Sequence, residues 1–231
     1  MKTSISALLA LLAATLPAAA QDRETRDVAN FEAIRVGGGV DLSIRQGEPF
    51  LVEVESADGD TADVVTEVRN RTLEVGHRRS FFDFFDWGTD EVTVHVTLPK
   101  LVAITASGGS EVSNEGTISG DELELTASGG ADVTLDVAVT TLEVQTSGGS
   151  DVRLTGSARS TSMQSSGGSD LNASDLTTDS ANLASSGGSD IRIEVRESLV
   201  AHASGGSDIS YSGNPRSVDV NASGGGDVNR R

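Results

Sequence analysis

A six-residue pattern, Ser-Gly-Gly-x-acid-aliphatic, recurs seven times, starting at Ser107, Ser128, Ser147, Ser166, Ser186, Ser204 and Ser223. The intervals are 21, 19, 19, 20, 18 and 19 residues. A constant motif on a slightly varying period means a pinned structural element joined by connections of unequal length. Its glycine pairs are Gly108-Gly109, Gly129-Gly130, Gly148-Gly149, Gly167-Gly168, Gly187-Gly188, Gly205-Gly206 and Gly224-Gly225, and a weaker eighth copy stands at Gly37-Gly38-Gly39-Val40-Asp41-Leu42.

The residues around each glycine pair alternate. A small residue precedes every Ser (Ala106, Ala127, Thr146, Ser165, Ser185, Ala203, Ala222), and two places earlier stand Ile104, Leu125, Val144, Met163, Leu183, Ala201 and Val220. After the pair come Val112, Val133, Val152, Leu171, Ile191, Ile209 and Val228. Period-two spacing of aliphatics makes each copy two short strands meeting at a glycine corner, and it excludes a helix there. Glycine serves the corner because it accepts positive φ. One such unit cannot bury its apolar side, whereas stacked units form a continuous interior. The expected fold is all-β, a right-handed parallel β-solenoid of about seven turns, right-handed coiling being the default for parallel crossovers. Only eight residues carry aromatic rings. Aliphatic columns, at about 1.5 to 3 kcal/mol per buried side chain, must therefore supply the core.

Residues 101–231 carry the repeats, and residues 28–100 read differently. Strands are expected at Phe31 to Val36, Val40 to Arg45, Phe50 to Glu55, Leu73 to Gly76 and Val92 to Leu98, where Pro99 stops the last. This part should continue or cap the stack, because an open first coil leaves an edge that invites aggregation. Upstream, Lys2, an apolar run from Ile5 to Leu16 and Pro17-Ala18-Ala19-Ala20 read as a secretory signal over residues 1–20, too short for a membrane span. Residues 21–27 read as a flexible leader. No second hydrophobic span follows, so the mature chain should lack a transmembrane segment. With no Cys there is no lipoprotein thiol and no disulfide framework. A periplasmic, secreted or cell-surface address is expected. Seventeen basic against 35 acidic residues, a net charge of -18, argue against a nucleic-acid partner.

The acid after each corner should form an outward ladder of Glu111, Asp132, Asp151, Asp170, Asp190, Asp208 and Asp227. Neighbouring carboxylates at about 4.8 Å repel by roughly 0.9 kcal/mol in water, so such a row needs a reason. Either corner amides or Ser hydroxyls donate to the acids, or Asp132, Asp151, Asp170, Asp190 and Asp208 offer oxygen ligands to calcium; no other cofactor is expected. A second feature is Phe81-Phe82-Asp83-Phe84-Phe85-Asp86-Trp87, which gathers five of the eight rings within seven residues. Phe81, Phe82, Phe84, Phe85 and Trp87 form either a plug over the solenoid or a docking loop for an envelope protein, glycan or membrane surface. His77, His95 and His202 lack metal-ligand spacing and read as surface groups. No Gly-x-Ser-x-Gly elbow is present, and a catalytic residue is not expected.

The residues also resemble a family. Phe31-Glu32-Ala33-Ile34-Arg35-Val36, followed by the Gly37–Leu42 segment and Gln46-Gly47, is similar to the start of the head GIN domain, the head of auto-transporter adhesins in exported bacterial proteins. Leu98-Pro99-Lys100-Leu101 before the first corner, and Tyr211-Ser212-Gly213-Asn214-Pro215 before the last, look like its middle and end. The similarity spans residues 28 to 229. Family corners often carry Gly directly before the acid, where this chain has Ser110, Ala131, Ser150, Ser169, Ser189 and Ser207, with only Gly226 conforming. The resemblance implies a right-handed β-helical domain without established catalysis. The function expected is a non-catalytic module for adhesion, binding or scaffolding in the bacterial envelope. The alternative is a carbohydrate-binding or carbohydrate-active β-helix, which two convergent carboxylates with aromatic walls would favour.

Overall fold

The computed structural model describes residues 23–56, 61–77 and 92–231. Described residues form strands and no helix. In chain order the strands are β1 (Arg23–Thr25), β2 (Ala33–Val36), β3 (Asp41–Gln46), β4 (Leu51–Ser56), β5 (Val64–Arg69), β6 (Thr72–His77), β7 (Val92–Leu98), β8 (Ala103–Ser107) and β9 (Glu111–Glu115). Then follow β10 (Ile118–Ser128), β11 (Asp132–Ser147), β12 (Asp151–Gly167), β13 (Asp170–Gly187), β14 (Asp190–Gly205), β15 (Asp208–Gly213), β16 (Ser217–Ser223) and β17 (Asp227–Arg230). Strands β11 to β14 run 16 to 18 residues because each bends around most of a coil while staying paired to its neighbours, with register shifts at Arg153/Thr155, Ala173/Thr177 and Thr178/Ser180.

Like residues stack on like, in parallel register. One interior column runs Leu73, Ile34, Ile104, Leu125, Val144, Met163, Leu183, Ala201, Val220. Another runs Val94, Leu42, Val112, Val133, Val152, Leu171, Ile191, Ile209, Val228. Val152, Leu171 and Ile191 are fully buried neighbours, as the alternation requires. The fold is the expected parallel β-solenoid of about seven repeat turns.

The chain before the repeats both continues and caps the stack, by a route the sequence does not announce. Strands β2 and β3 form one coil, and its Gly37–Gly39 corner lies directly against Gly108 of the next: a Cβ at Gly108 would sit 3.3 Å from the Gly38 amide nitrogen. The outermost coil is built later in the chain, from β6 and β7, and pairs in parallel with β2 and β3. Antiparallel β5 and β4 then cover β6 and β7, and β1 covers β4. Switching from parallel to antiparallel pairing turns the edge over and closes this end of the interior. The leader is accordingly structured from Arg23: β1 is held by Arg23 to Glu55 at 2.7 Å, and Arg26 donates to the Thr61 carbonyl at 2.8 Å. Phe31, fully buried, packs on Phe50 with ring centroids 5.3 Å apart.

Candidate functional site

At each corner the first glycine has φ between 64 and 83°. The second glycine divides the corners into two kinds. Gly109, Gly130, Gly149 and Gly225 also have positive φ, whereas Gly168, Gly188 and Gly206 do not. In two of these latter corners the amides of Gly188 and Gly206 donate to the carbonyls of Gly167 and Gly187 in the coil beneath, both at 2.7 Å. The coil-to-coil ladder there reaches the first glycine, and the amide of the second adds one further bond between coils.

The residue before each acid, where this chain carries Ser instead of Gly, points inward. Ser150, Ser169, Ser189 and Ser207 are fully buried and Ser110 nearly so. Each closes its own corner by donating to the carbonyl three residues back: Ser110 to Ser107, Ser150 to Ser147, Ser169 to Ser166, Ser189 to Ser186 and Ser207 to Ser204, at 2.9 to 3.1 Å. Buried Ser165 and Ser185 meet Ser169 and Ser189 at 3.0 and 2.9 Å. A hydroxyl column therefore runs inside the corner edge. Burying these groups is tolerated because each has a partner.

The corner hydroxyls of Ser110, Ser150, Ser169, Ser189 and Ser207 donate to carbonyls. Asp132, Asp151, Asp170, Asp190, Asp208 and Asp227 do stack in register as an outward ladder, with Glu111 and Asp41 continuing it. Asp41 accepts from the Glu111 amide at 3.2 Å, and Arg192 pairs with Asp190 at 3.0 Å. Among the described residues no three His, Cys, Asp or Glu side chains converge closely enough to hold a metal ion. The ladder is a line of single carboxylates rather than a cage.

Phe81, Phe82, Phe84, Phe85 and Trp87 lie outside the described residues, as do residues 1–20, where a signal was expected. Their flanks are placed: β6 and β7 face β2 and β3 with Val75 on Val36 and Val94 on Leu42. In sequence, the aromatic segment lies between β6 and β7. Of the histidines, His95 lies on β7 with its Nε2 3.0 Å from Glu55, which also holds Arg23. Nearby, the Arg45 hydrogen bond and charge hold the exposed Glu115 carboxyl below the ordinary glutamate value.

His202 opens onto a feature the sequence reading missed. On the wall preceding the corners, Thr126, Gln145, Gln164, Ala184 and His202 occupy one outward column, in register from coil to coil. With the adjoining corner serines they line a shallow groove of about 290 Å³ across five coils. Besides His202, its lining carries no ionisable side chain, on a protein of net charge -18. The signal was present as a column of Thr and Gln at period 19, masked by attention to the acids.

The match to known families is decided by residues 30–215, which fit the family model described as putative auto-transporter adhesin, head GIN domain. The chain belongs to the head GIN family. Solved structures share its fold. A putative adhesin from Bacteroides fragilis NCTC 9343 is 23% identical, with a TM-score of 0.84 over 93% of this chain and 99% of that one. A putative adhesin from Parabacteroides merdae ATCC 43184 is 20% identical, with a TM-score of 0.69 over 91% and 95%. A putative lipid binding protein from Parabacteroides distasonis ATCC 8503 is 14% identical, with a TM-score of 0.68 over 91% and 96%. At these identities the likeness speaks for the fold alone. No curated protein matches the sequence at a significant level. Among the described residues of this head GIN domain no helix is long and apolar enough to cross a membrane.

Proposed function

We propose that this head GIN domain is an exported, non-catalytic adhesin-like module that grips an extended, uncharged polymer, a neutral glycan of the cell envelope, along the groove beside its corners. The observation that carries this reading is the outward column Thr126, Gln145, Gln164, Ala184 and His202, which presents hydrogen-bonding side chains on four of five successive coils spaced at about 4.8 Å and no carboxylate. A ligand that is itself repetitive meets the same donors and acceptors at each step, and weak contacts add along its length. The chain's net charge of -18 repels polyanions, which favours a neutral chain. An acyl chain fits poorly, because the lining is dominated by amides and hydroxyls rather than the apolar walls that lipids need. The catalytic β-helix alternative finds no support here: no carboxylate lines the groove, and paired acids are what glycoside hydrolysis uses.

Co-sedimentation with purified neutral cell-wall polysaccharides tests the reading. The chain is expected to pellet with at least one, and the double variant Gln145→Glu, Gln164→Glu is expected to lose that binding while keeping its melting temperature. Equal retention of the variant, or no binding to any neutral polysaccharide, would sink the proposal. N-terminal sequencing of the protein recovered from a cell envelope tests export, with cleavage expected before Gln21.

A further inference from the structure

The two ends of the solenoid are finished differently. At one end antiparallel β4 and β5 fold over the outermost coil. At the other, β16 pairs on one side with β14 and β17 on one side with β15, and every residue of β16 is exposed. Val218 and Val220 are 44% and 47% exposed, although they continue the columns of Leu199 and Ala201, which are buried. Aliphatic side chains of interior parity and a row of strand-edge amides and carbonyls thus end in the open. Such an edge ordinarily finds a partner.

We propose that this end face is a self-recognition surface, and that two copies of the chain join end to end about a two-fold axis through Val220 to form a closed dimer. Four observations select a second copy. First, complementarity: pairing the seven residues of β16 antiparallel to themselves about Val220 sets Val218 against Ala222 of the second copy, both of interior parity. Asp219 then faces Asn221, so no like charges oppose, whereas centring the pair on Asp219 would set carboxylate against carboxylate.

Second, charge. The last coil, residues 216–231, carries three Arg (Arg216, Arg230, Arg231) against two Asp (Asp219, Asp227), in a chain of net charge -18. Side-by-side association would bring acidic walls together, and this end is where repulsion is least. Third, area. A coil of about 19 residues has a perimeter near 60 Å, so its end face with side chains covers roughly 500 Å². Two faces together remove about 1,000 Å², the lower limit of a specific interface, consistent with a dimer that dissociates at roughly micromolar concentration or above. Fourth, closure. Among the described residues the other end is finished by antiparallel β4 and β5, unlike the face of β16, and an isologous contact between two β16 faces stops at two. A dimer would carry two grooves on one rigid rod, a bivalent binder.

Sedimentation velocity across a hundredfold concentration range tests this. A monomer–dimer equilibrium is expected, shifted at least tenfold toward monomer by Val220→Lys, with an unchanged melting temperature because position 220 is exposed in the free chain. Val218→Lys gives a second, independent variant should Val220→Lys fold poorly. The chain has no Cys, so Val220→Cys under oxidation reports the axis directly: a disulfide-linked dimer is expected only if the two copies of residue 220 face each other. A chain that stays monomeric throughout the range, one that forms filaments, or a dimer indifferent to both lysine variants would overturn the proposal.

Discussion

Two adjacent glycines of one corner should respond to alanine in opposite ways. Gly187 has φ of 80°, and a Cβ there would lie 2.9 Å from the Gly167 carbonyl oxygen and 3.2 Å from its nitrogen, all backbone atoms of the coil beneath. Gly188 lacks positive φ, and a Cβ there would meet nothing closer than that same oxygen at 3.7 Å, an ordinary contact. For Gly187→Ala the left-handed backbone costs about 1–2 kcal/mol. Pushing the two coils apart adds about 1–3 kcal/mol, since the contacted carbonyl also accepts the 2.7 Å bond from Gly188. A total near 3 kcal/mol corresponds to a melting temperature lowered by roughly 6–12 °C in a chain of this size. Gly188→Ala instead gains about 0.4–1 kcal/mol by restricting the unfolded chain, for a rise of roughly 1–3 °C. Far-ultraviolet circular dichroism melts measure both. Amide exchange should show the Gly187→Ala loss concentrated in the coils it separates, because repeat stacks open locally. Equal losses in the two variants, or a larger loss at Gly188, would refute the claim that coil contact and φ, rather than the motif as such, dictate these glycines.

Other perturbations follow the same physics. Gly156→Ala should be harsher than any corner variant, abolishing soluble expression or lowering the melting temperature by more than Gly187→Ala, since a Cβ there would lie 2.1 Å from the Val137 carbonyl oxygen with φ at 101°. Asp170→Asn, between Asp151 and Asp190, should raise the melting temperature by a few degrees at low ionic strength and have little effect near 1 M salt, where screening acts over about 3 Å. If the same ladder takes up calcium instead, calorimetric titration will return a stoichiometric heat that magnesium does not match; a response equal for both ions marks screening alone. Arg45→Gln removes the partner that keeps Glu115 below its ordinary value. A carboxylate with depressed folded pKa contributes above its unfolded pKa and stops contributing as pH falls through the folded one, so the difference between parent and variant should be small, present at neutral pH and gone in acid.

The stacking itself was legible because seven copies of one corner phase every strand of the repeat region, and Val152, Leu171 and Ile191 take their places from that phase alone. The N-terminal order was not. Nothing local in Ala33–Val36 or Thr72–His77 says which coil lies outside the other, since both present the same alternation and only pairing decides. β1 was read as leader because Arg23–Thr25 has no apolar residue; ion pairs to Glu55 place it rather than burial. β5 escaped because Val64, Val65 and Val68 break alternation on a strand with one buried residue. The buried serines were hidden by parity: polar residues at interior positions look like errors until Ser189 is seen donating to Ser186 and meeting Ser185. The open face of β16 was unforeseeable, because Val218 and Val220 obey the repeat perfectly and only the absence of a following coil among the described residues exposes them.

The interleaved order of the first three coils has a mechanical consequence. Because β2 and β3 are clamped between a coil made later on either side, tension entering through the leader first peels β1 from β4 and then must shear two ladders together to free β2. Load entering at Arg231 meets no such clasp and strips strands singly, first β17 from β15, then β16 from β14. The stack thus yields strand by strand from one terminus and resists as a block, once β1 is off, from the other.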